Sequence, residues 1–256
     1  MADLASLAAR IIDGTIEVID LTSPLHSGTP ILRLPPEFGQ TAPFQLEEIS
    51  RYDDRGPAWY WNNFRTGEHT GTHLDAPNHW ITGQDRDDVS RIPPGRLIGP
   101  AAVIDRVAAV AADPDYLLDV ADLEEWRETN GPLPSRGWLL FRTGWSARGA
   151  DAAAFANADA SGPHTPGVTP AAAEYLAATD LLGFGVETVG TDAGQAFGFE
   201  PAFPCHEAVL GAGKYGLTQL RNLDRLPATG AVVIAAPLPI VAGSGSPARV
   251  LALVEK

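Results

Sequence analysis

The segment Glu68–Trp80 reads EHTGTHLDAPNHW and contains three of the chain's six histidines. His69, His73, Asp75 and His79 share one parity, and in an extended chain the residues of one parity point to one face. Glycine, proline and two β-branched threonines within the segment disfavour a helix. The segment therefore predicts an extended or looped strand that presents imidazoles and a carboxylate on one side.

Two imidazoles and one carboxylate are typical ligands of a catalytic divalent metal ion. As ligands, His69, His73 and Asp75 would leave coordination positions open for water and substrate. Their nitrogen and oxygen donors accept Mn²⁺ and Zn²⁺ alike, so we expect one divalent ion of either kind. His79 lies just beyond them, and a histidine is well suited to act as a general acid/base there. The alternative is a purely structural polar cluster.

Composition limits the other candidate functions. The 256-residue chain carries a net charge of -14, which opposes binding to nucleic acid or to an anionic membrane surface. Its single cysteine, Cys205, excludes an intrachain disulfide and zinc sites rich in thiolates. A lone cysteine is commonly a buried small hydrophobe. We expect no signal peptide and no membrane span. These features indicate a cytoplasmic protein whose partner is a small-molecule substrate.

Periodicity and turn residues predict a mixed α/β fold that forms one domain over residues 1–256. The expected helices are Asp3–Ile12, Val120–Asn130, Thr169–Thr179 and Pro204–Ala212. The expected strands are Thr15–Leu21, Trp59–Thr66, Leu97–Val107, Gly137–Thr143, Leu181–Glu187, Ala231–Ala236 and Val250–Val254. Because helices and strands do not alternate regularly, the pattern indicates a mixed sheet rather than a doubly wound parallel one.

The stretch His69–His79, HTGTHLDAPNH, resembles the His-x-Gly-Thr-His-x-Asp-x-Pro-x-His signature of the cyclase-like metal-dependent hydrolases. That family includes kynurenine formamidases, isatin hydrolases and trans-dienelactone hydrolases. The similarity extends from IEVIDLTSPLHSGTP through RLIGPAAVID and LLGFGVETVGTD to HEAVLGAGKYGLTQLRNLDRLP. It implies a swivelling β/β/α fold and a homodimer or homotetramer. It also implies that His69, His73 and Asp75 bind metal and that His79 is the general acid/base.

The resemblance is less complete towards the C-terminus. His206 stands where the family has a late histidine, which is either a ligand of a second metal or a catalytic neighbour. At the position of Thr218, two-zinc formamidases have a glutamate that bridges both metals. Because threonine is a poor bridging ligand, the resemblance implies a single metal in this chain. Gln219 would supply an amide oxygen as a further metal ligand if the strand shifts by one residue, as a glutamine does in isatin hydrolase.

These residues predict hydrolysis of a small cyclic amide, imide or lactone by attack of metal-bound hydroxide, with His79 moving the proton. The segment Pro30–Arg33 has no aromatic ring where the formamidases have a tryptophan that contacts the aryl substrate. This difference favours a cyclic substrate over N-formylkynurenine. The alternatives are an arylformamidase and a non-catalytic relative that binds a metal or a ligand.

Several aromatic and imidazole side chains are open to two interpretations. For the aromatic residues of Trp59–Phe64 and for Trp80, we expect mostly packing in the core or in an oligomer interface. One or two of them would instead wall an apolar pocket for a flat substrate. His26 and His164 lie in loops rich in glycine and proline, where they are solvated or contact the substrate.

Overall fold

A computed structural model of the chain describes residues 3–256. The helices of this part are α1 Leu4–Ile12, α2 Val107–Ala112, α3 Val120–Asn130, α4 Ala152–Ala156 and α5 Pro170–Ala178. A turn with π-helical hydrogen bonding, His206–Leu210, and several short 3-10 turns accompany them. No helix within residues 3–256 is long and apolar enough to cross a bilayer.

Most of the strands belong to one mixed sheet. The strands are β1 Ile16–Asp20, β2 Gln45–Asp53, β3 Gly56–Arg65, β4 His73–Asp75, β5 Ile98–Asp105, β6 Leu117–Leu118, β7 Trp138–Arg142, β8 Ala158–Asp159, β9 Gly162–Pro163, β10 Gly167–Val168, β11 Gly183–Val186, β12 Tyr215–Thr218, β13 Ala231–Pro237 and β14 Gly245–Glu255. In the large sheet, β5, β7, β11 and β12 run parallel, whereas the pairs that involve β1, β4, β13 or β14 are antiparallel. This arrangement confirms the predicted mixed α/β class.

The sheet closes on itself because the short strand β4 is paired on both edges. The strand order is β1-β14-β13-β5-β7-β11-β12-β4, and β4 pairs again with β14. The first part of β14, Gly245–Pro247, pairs with β4, whereas β1 pairs with its last part, Leu251–Glu255. β1 and β4 therefore share one edge of β14, and the strands from β4 to β14 enclose a barrel-like interior.

Alternate residues of the central strands point into two separate apolar layers. Val103 of β5 faces the barrel interior, where it belongs to the same buried cluster as Leu74 of β4. Ile104, the next residue, belongs to a second cluster with Trp126 of α3 and Leu176 of α5. Because β5 and β7 are covered on both sides, their sequences are nearly continuous apolar runs rather than alternating ones.

The predicted helices agree with the structure because the signals at their ends are local. α3 begins after Asp119, which forms a capping box with Asp122. α5 begins after Thr169, whose hydroxyl accepts a hydrogen bond from the Ala172 amide at 3.1 Å. The helix predicted at Pro204–Ala212 is present as the π-helical turn with short helical flanks.

The predicted strands differ from the structure in several places. The strand predicted at Leu97–Val107 ends at Asp105, and Val107 begins α2. The prediction omits β2, because its charged sequence QLEEISRYD lacks the apolar alternation of a half-buried strand. It also omits β12, because the glycines that precede and interrupt this strand are typical of a loop.

Gly183 lies where β11 approaches its neighbours too closely for a side chain. A Cβ atom there would lie 2.2 Å from the carbonyl oxygen of Tyr215 and 2.6 Å from the ring of Trp138. We therefore expect Gly183→Ala to lower the free energy of unfolding by about 1–3 kcal/mol, the usual cost of overpacking a core. Urea unfolding measures this, with Gly95→Ala as the control, since no atom lies within 4 Å of a Cβ added there. Equal stability of the two variants would contradict the expectation.

Candidate metal centre and active site

β4 places His73 and Asp75 on the same side of a strand that is paired on both edges. Asp75 lies opposite Gly216 of β12 and opposite Gly245 of β14. Leu74, between the two polar residues, is fully buried in the apolar cluster of the barrel interior. Strand alternation therefore points His73 and Asp75 away from that interior, and both residues are buried.

His69 reaches Asp75 from the turn that precedes β4. Its Nδ1 lies 2.7 Å from Asp75 Oδ1, and its Nε2 lies 2.8 Å from Ser244 Oγ. Ser244 Oγ donates to Glu68 Oε2 at 2.7 Å, because a carboxylate only accepts. Ser244 then accepts from the Nε2–H of His69, which leaves Nδ1, the atom that faces Asp75, as the ring nitrogen available to a cation.

The ring of His73 is oriented in the same manner. Its Nδ1 lies 2.7 Å from the carbonyl oxygen of Gly71, which only accepts, so Nδ1 carries the proton. Its Nε2 lies 3.3 Å from Asp75 Oδ1. Two imidazole nitrogens and one carboxylate oxygen therefore converge on one another. This donor set fits a divalent cation, and the outer hydrogen bond of each ring is the kind that orients a metal-binding histidine.

The charge of Asp75 supports the same interpretation. Burial works to raise its pKa, but His73 and His69 beside it hold the pKa of Asp75 well below the ordinary value. A buried carboxylate needs a compensating positive charge. Within residues 3–256, the basic side chains within 4 Å of the Asp75 carboxylate are these two histidines, and no lysine or arginine is among them. A cation bound at the cluster would therefore compensate the buried negative charge of Asp75.

His79 ends the 3-10 turn Pro77–His79, and its ring stacks on His69 with centroids 3.9 Å apart. Burial lowers the pKa of His79 to about 3, although Asp75 acts to raise it. The His79 imidazole is therefore neutral at neutral pH. Across the described part of the chain, neither ring nitrogen of His79 takes part in a hydrogen bond, unlike those of His69 and His73.

The extended-strand prediction is correct for only part of the signature. His73 and Asp75 share a face of β4, but His69 lies in the preceding turn and His79 in the following 3-10 turn. Gly71, between the two histidines, has a φ of 65°, a left-handed conformation that glycine adopts without strain. The four side chains converge as expected, but turns bring two of them together rather than strand parity.

Two combinations of three ligands are compatible with this cluster. The ligand atoms of His69, Asp75 and His79 lie within 4.8 Å of one another. The predicted combination has His73 in place of His79, and His73 Nε2 also lies close to Asp75. The hydrogen-bonded ring of His73 matches that of His69, whereas the ring of His79 lacks such a partner in residues 3–256.

His206 lies beside the cluster, with its ring centroid 5.5 Å from that of His79. Asp192 Oδ2 accepts hydrogen bonds from His206 Nδ1 at 2.5 Å and from the His206 amide at 3.1 Å. Burial works to lower the pKa of His206, but its hydrogen bond with Asp192 and the charge of Asp192 raise it. Asp192 lies in the loop VGTDAG, where its spacing is not distinctive, so the sequence alone does not indicate its contact with His206.

Thr218 and Gln219 are neighbours at the end of β12 but contact different groups. Thr218 lies opposite His73, and its hydroxyl is 2.8 Å from Nδ1 and 3.0 Å from Nε2 of that ring. Gln219 Nε2 donates to the carbonyl oxygen of Pro30 at 3.0 Å. Within residues 3–256, no hydrogen bond connects the Gln219 side chain to the predicted metal ligands, and its role as a ligand stays a prediction.

Three other candidate side chains lie outside the cluster or are inert within the fold. His164 Nδ1 is 2.5 Å from Asp115 Oδ2, and its Nε2 is 3.2 Å from Asp159 Oδ1, so this histidine ties two loops together. His26 accepts a hydrogen bond from a backbone amide within its own loop. Cys205 is buried, as expected of a lone cysteine, and burial raises the pKa of its thiol well above the ordinary value.

Of the two kinds of packing expected for the aromatic residues before the signature, packing in the core is wrong, whereas packing in an oligomer interface stays a prediction. Trp59, Tyr60, Trp61 and Phe64 are 39–58% exposed. They belong to β3, which pairs only with β2 and forms a two-stranded ribbon apart from the large sheet. Their aromatic character therefore reflects a surface rather than the interior of the chain.

A closed mixed sheet that holds a buried carboxylate between imidazoles fits a metal-dependent hydrolase. The sequence profile described as putative cyclase matches residues 19–193. An isatin hydrolase from Roseibium aggregatum is 48% identical over 99% of this chain and 97% of its own. A kynurenine formamidase from Salinibacter ruber is 31% identical over 73% of this chain and 76% of its own.

The comparison with solved structures agrees with the sequence comparison. The structure of isatin hydrolase A from Ralstonia solanacearum superposes with a TM-score of 0.96, at 54% identity, and the match covers 98% of this chain and 97% of the other. The chain belongs to the putative cyclase family and is a hydrolase. The resemblance and the fold that it implies are thereby confirmed.

Proposed function

We propose that this hydrolase opens a small cyclic amide of the isatin type. The observation that carries the proposal is the convergence of His69, His73 and Asp75 in a chain that is 48% identical to an isatin hydrolase. Residues 1–256 would act as one domain, because a single closed sheet uses strands from Ile16 to Glu255.

We assign His69 Nδ1, His73 Nε2 and Asp75 Oδ1 as the ligands of one divalent ion, Mn²⁺ or Zn²⁺. Such an ion, when bound, polarises a carbonyl and lowers the pKa of a water molecule. The threonine hydroxyl of Thr218 beside His73 is a poor bridge between two metals, which supports a single ion. We retain Gln219 as the candidate for a further ligand, since it follows Thr218 at the end of β12.

We assign proton transfer to His79 and a supporting role to His206. His79 has no competing hydrogen bond among the described residues, so its ring can take a proton from the attacking water and deliver it to the nitrogen that leaves. His206 keeps its proton on Nδ1, because Asp192 accepts from that atom. Held in this orientation, His206 would offer its Nε2 atom to the substrate as a second polar group beside His79.

The first prediction concerns the ligands. We expect His73→Ala to lose both bound metal and activity, because it removes one of three converging donors. Elemental analysis of the purified variant measures the metal, and His26→Ala is the control, since this histidine lies in a separate loop. Full metal occupancy in His73→Ala would contradict the assignment.

The second prediction separates His79 from the ligands. We expect His79→Ala to keep its metal but to lose about 10²–10⁴-fold in kcat, the usual contribution of a general acid/base. Metal content and turnover are measured on the same sample. Loss of the metal would instead make His79 a ligand and favour the combination of His69, Asp75 and His79.

The substrate class is tested by comparing kcat/KM for isatin, a dienelactone and N-formylkynurenine on the metal-loaded enzyme. We expect isatin to be preferred. Pro30–Arg33, the segment where the formamidases have a tryptophan, carries no aromatic ring here, and stacking of this kind is worth about 0.5–1.5 kcal/mol. A clear preference for N-formylkynurenine would establish an arylformamidase. Absence of turnover with metal bound would favour the non-catalytic alternative.

We also propose that the protein forms a homodimer or homotetramer through the ribbon of β2 and β3. A two-stranded hairpin is only marginally stable by itself in water. This ribbon nevertheless exposes Leu46, Trp59, Trp61 and Phe64, each by half or more of its surface. An exposed apolar patch of this kind typically marks a protein interface.

Light scattering after size-exclusion chromatography tests the assembly. We expect the wild-type mass to correspond to two or four chains and Trp61→Glu to give a smaller species, because a charge would be buried in the interface. Ile12→Glu is the matched control, since Ile12 is 85% exposed on α1, away from the ribbon. A monomeric wild type, or an unchanged Trp61→Glu assembly, would contradict the proposal.

A further inference from the structure

The segment Gly243–Gly245, which reads GSG and leads into β14, lies against the first histidine of the signature. A Cβ atom at Gly245 would lie 2.6 Å from Cε1 and 3.1 Å from Nδ1 of His69, so the ring packs directly on the backbone at this position. The same ring stacks on that of His79. These contacts fix the plane of the His69 ring, but they do not determine which of its two nitrogens carries a proton.

Ser244, the middle residue of this segment, is tied to the signature through its own backbone. Its carbonyl oxygen accepts a hydrogen bond from the Ala76 amide at 2.9 Å. Its amide donates to Glu68 Oε2 at 3.1 Å. The serine is therefore held from both ends of the signature, and its hydroxyl has a fixed place 2.8 Å from His69 Nε2.

The direction of this hydrogen-bond chain is set by Glu68. A hydroxyl has one proton to donate, and the Ser244 hydroxyl gives it to Glu68 Oε2 at 2.7 Å, so Oγ can only accept from His69 Nε2. On the other side of the ring, Asp75 Oδ1 lies 2.7 Å from Nδ1 and also only accepts. Asp75 therefore favours a proton on Nδ1, which would close that nitrogen to a metal, whereas Glu68 favours the proton on Nε2.

We propose that Glu68 and Ser244 are positioning residues that set the metal affinity of the site by holding the proton of His69 on Nε2. The inference rests on the proposed function, which makes His69 Nδ1 a ligand, and extends it to two side chains that do not touch the metal. Outer hydrogen bonds of this kind orient a ligating imidazole and make it more basic. The ring of His73 differs, because a backbone carbonyl, that of Gly71, accepts its proton.

The test begins with the Kd of Zn²⁺, measured by competition with a chelating indicator for wild type, Glu68→Gln and Ser244→Ala. Glutamine keeps the shape of the side chain, but its amide can donate to Ser244, which frees the hydroxyl to donate to His69 Nε2 and reverses the chain. We expect both variants to bind Zn²⁺ about 10–100-fold more weakly, the usual effect of losing such a partner. Glu128→Gln is the matched control, because it makes the same charge change at an exposed position of α3.

Nuclear magnetic resonance of the ring protons separates positioning from a general disturbance of the fold. In zinc-loaded protein labelled with ¹⁵N-histidine, we expect the Nε2–H proton of His69 to move upfield and to exchange faster with water in both variants. The Nδ1–H proton of His73 is the internal reference and should be unchanged, since its acceptor is the backbone of Gly71.

An unchanged Kd of Zn²⁺ in both Glu68→Gln and Ser244→Ala would overturn the inference. Equal changes in the ring protons of His69 and His73 would overturn it as well, because the substitutions would then act on the whole site. Failure of the proposed function is a separate result: the wild type would open no cyclic amide, although the loss of metal affinity in the variants would persist.

Discussion

The site depends on one constraint: a strand of three residues that is paired on both edges. β4 closes the sheet between β12 and β14, and its central residue, Leu74, anchors it in the barrel interior. The flanking His73 and Asp75 must then point to the opposite side, where neither can rotate away. A buried carboxylate, which is costly to leave uncompensated, is thereby held at a fixed place. Its position determines where His69 can contact it and where a cation would bind.

The sequence predicts most of this site because its determinants are local. The signature places four polar side chains within eleven residues, and Gly71 and Pro77 mark the turns between them. Helix caps such as Asp119 and Thr169 are local in the same sense, and α3 and α5 begin where the sequence predicts. Strand parity explains only part of the convergence of these four side chains. His69 and His79 reach Asp75 through turns instead.

Features that depend on distant pairing are not readable from the sequence. Closure of the sheet joins residues 73–75 to residues 245–247, and no local pattern specifies that contact. Asp192 becomes significant only when the fold brings it to His206, and Ser244 only when its hydroxyl lies beside His69. The aromatic residues of β3 have the composition of a core strand, and only the structure reveals that they are exposed.

The central claim is that His69, His73 and Asp75 hold one divalent ion, with His79 beside it rather than on it. A crystal structure of the metal-loaded protein, with anomalous data collected at the absorption edge of the metal, tests it most directly. The account predicts one anomalous peak per chain, about 2.0–2.2 Å from His69 Nδ1, His73 Nε2 and Asp75 Oδ1. Two peaks per chain, or a single peak bonded to His79 in place of His73, would contradict it.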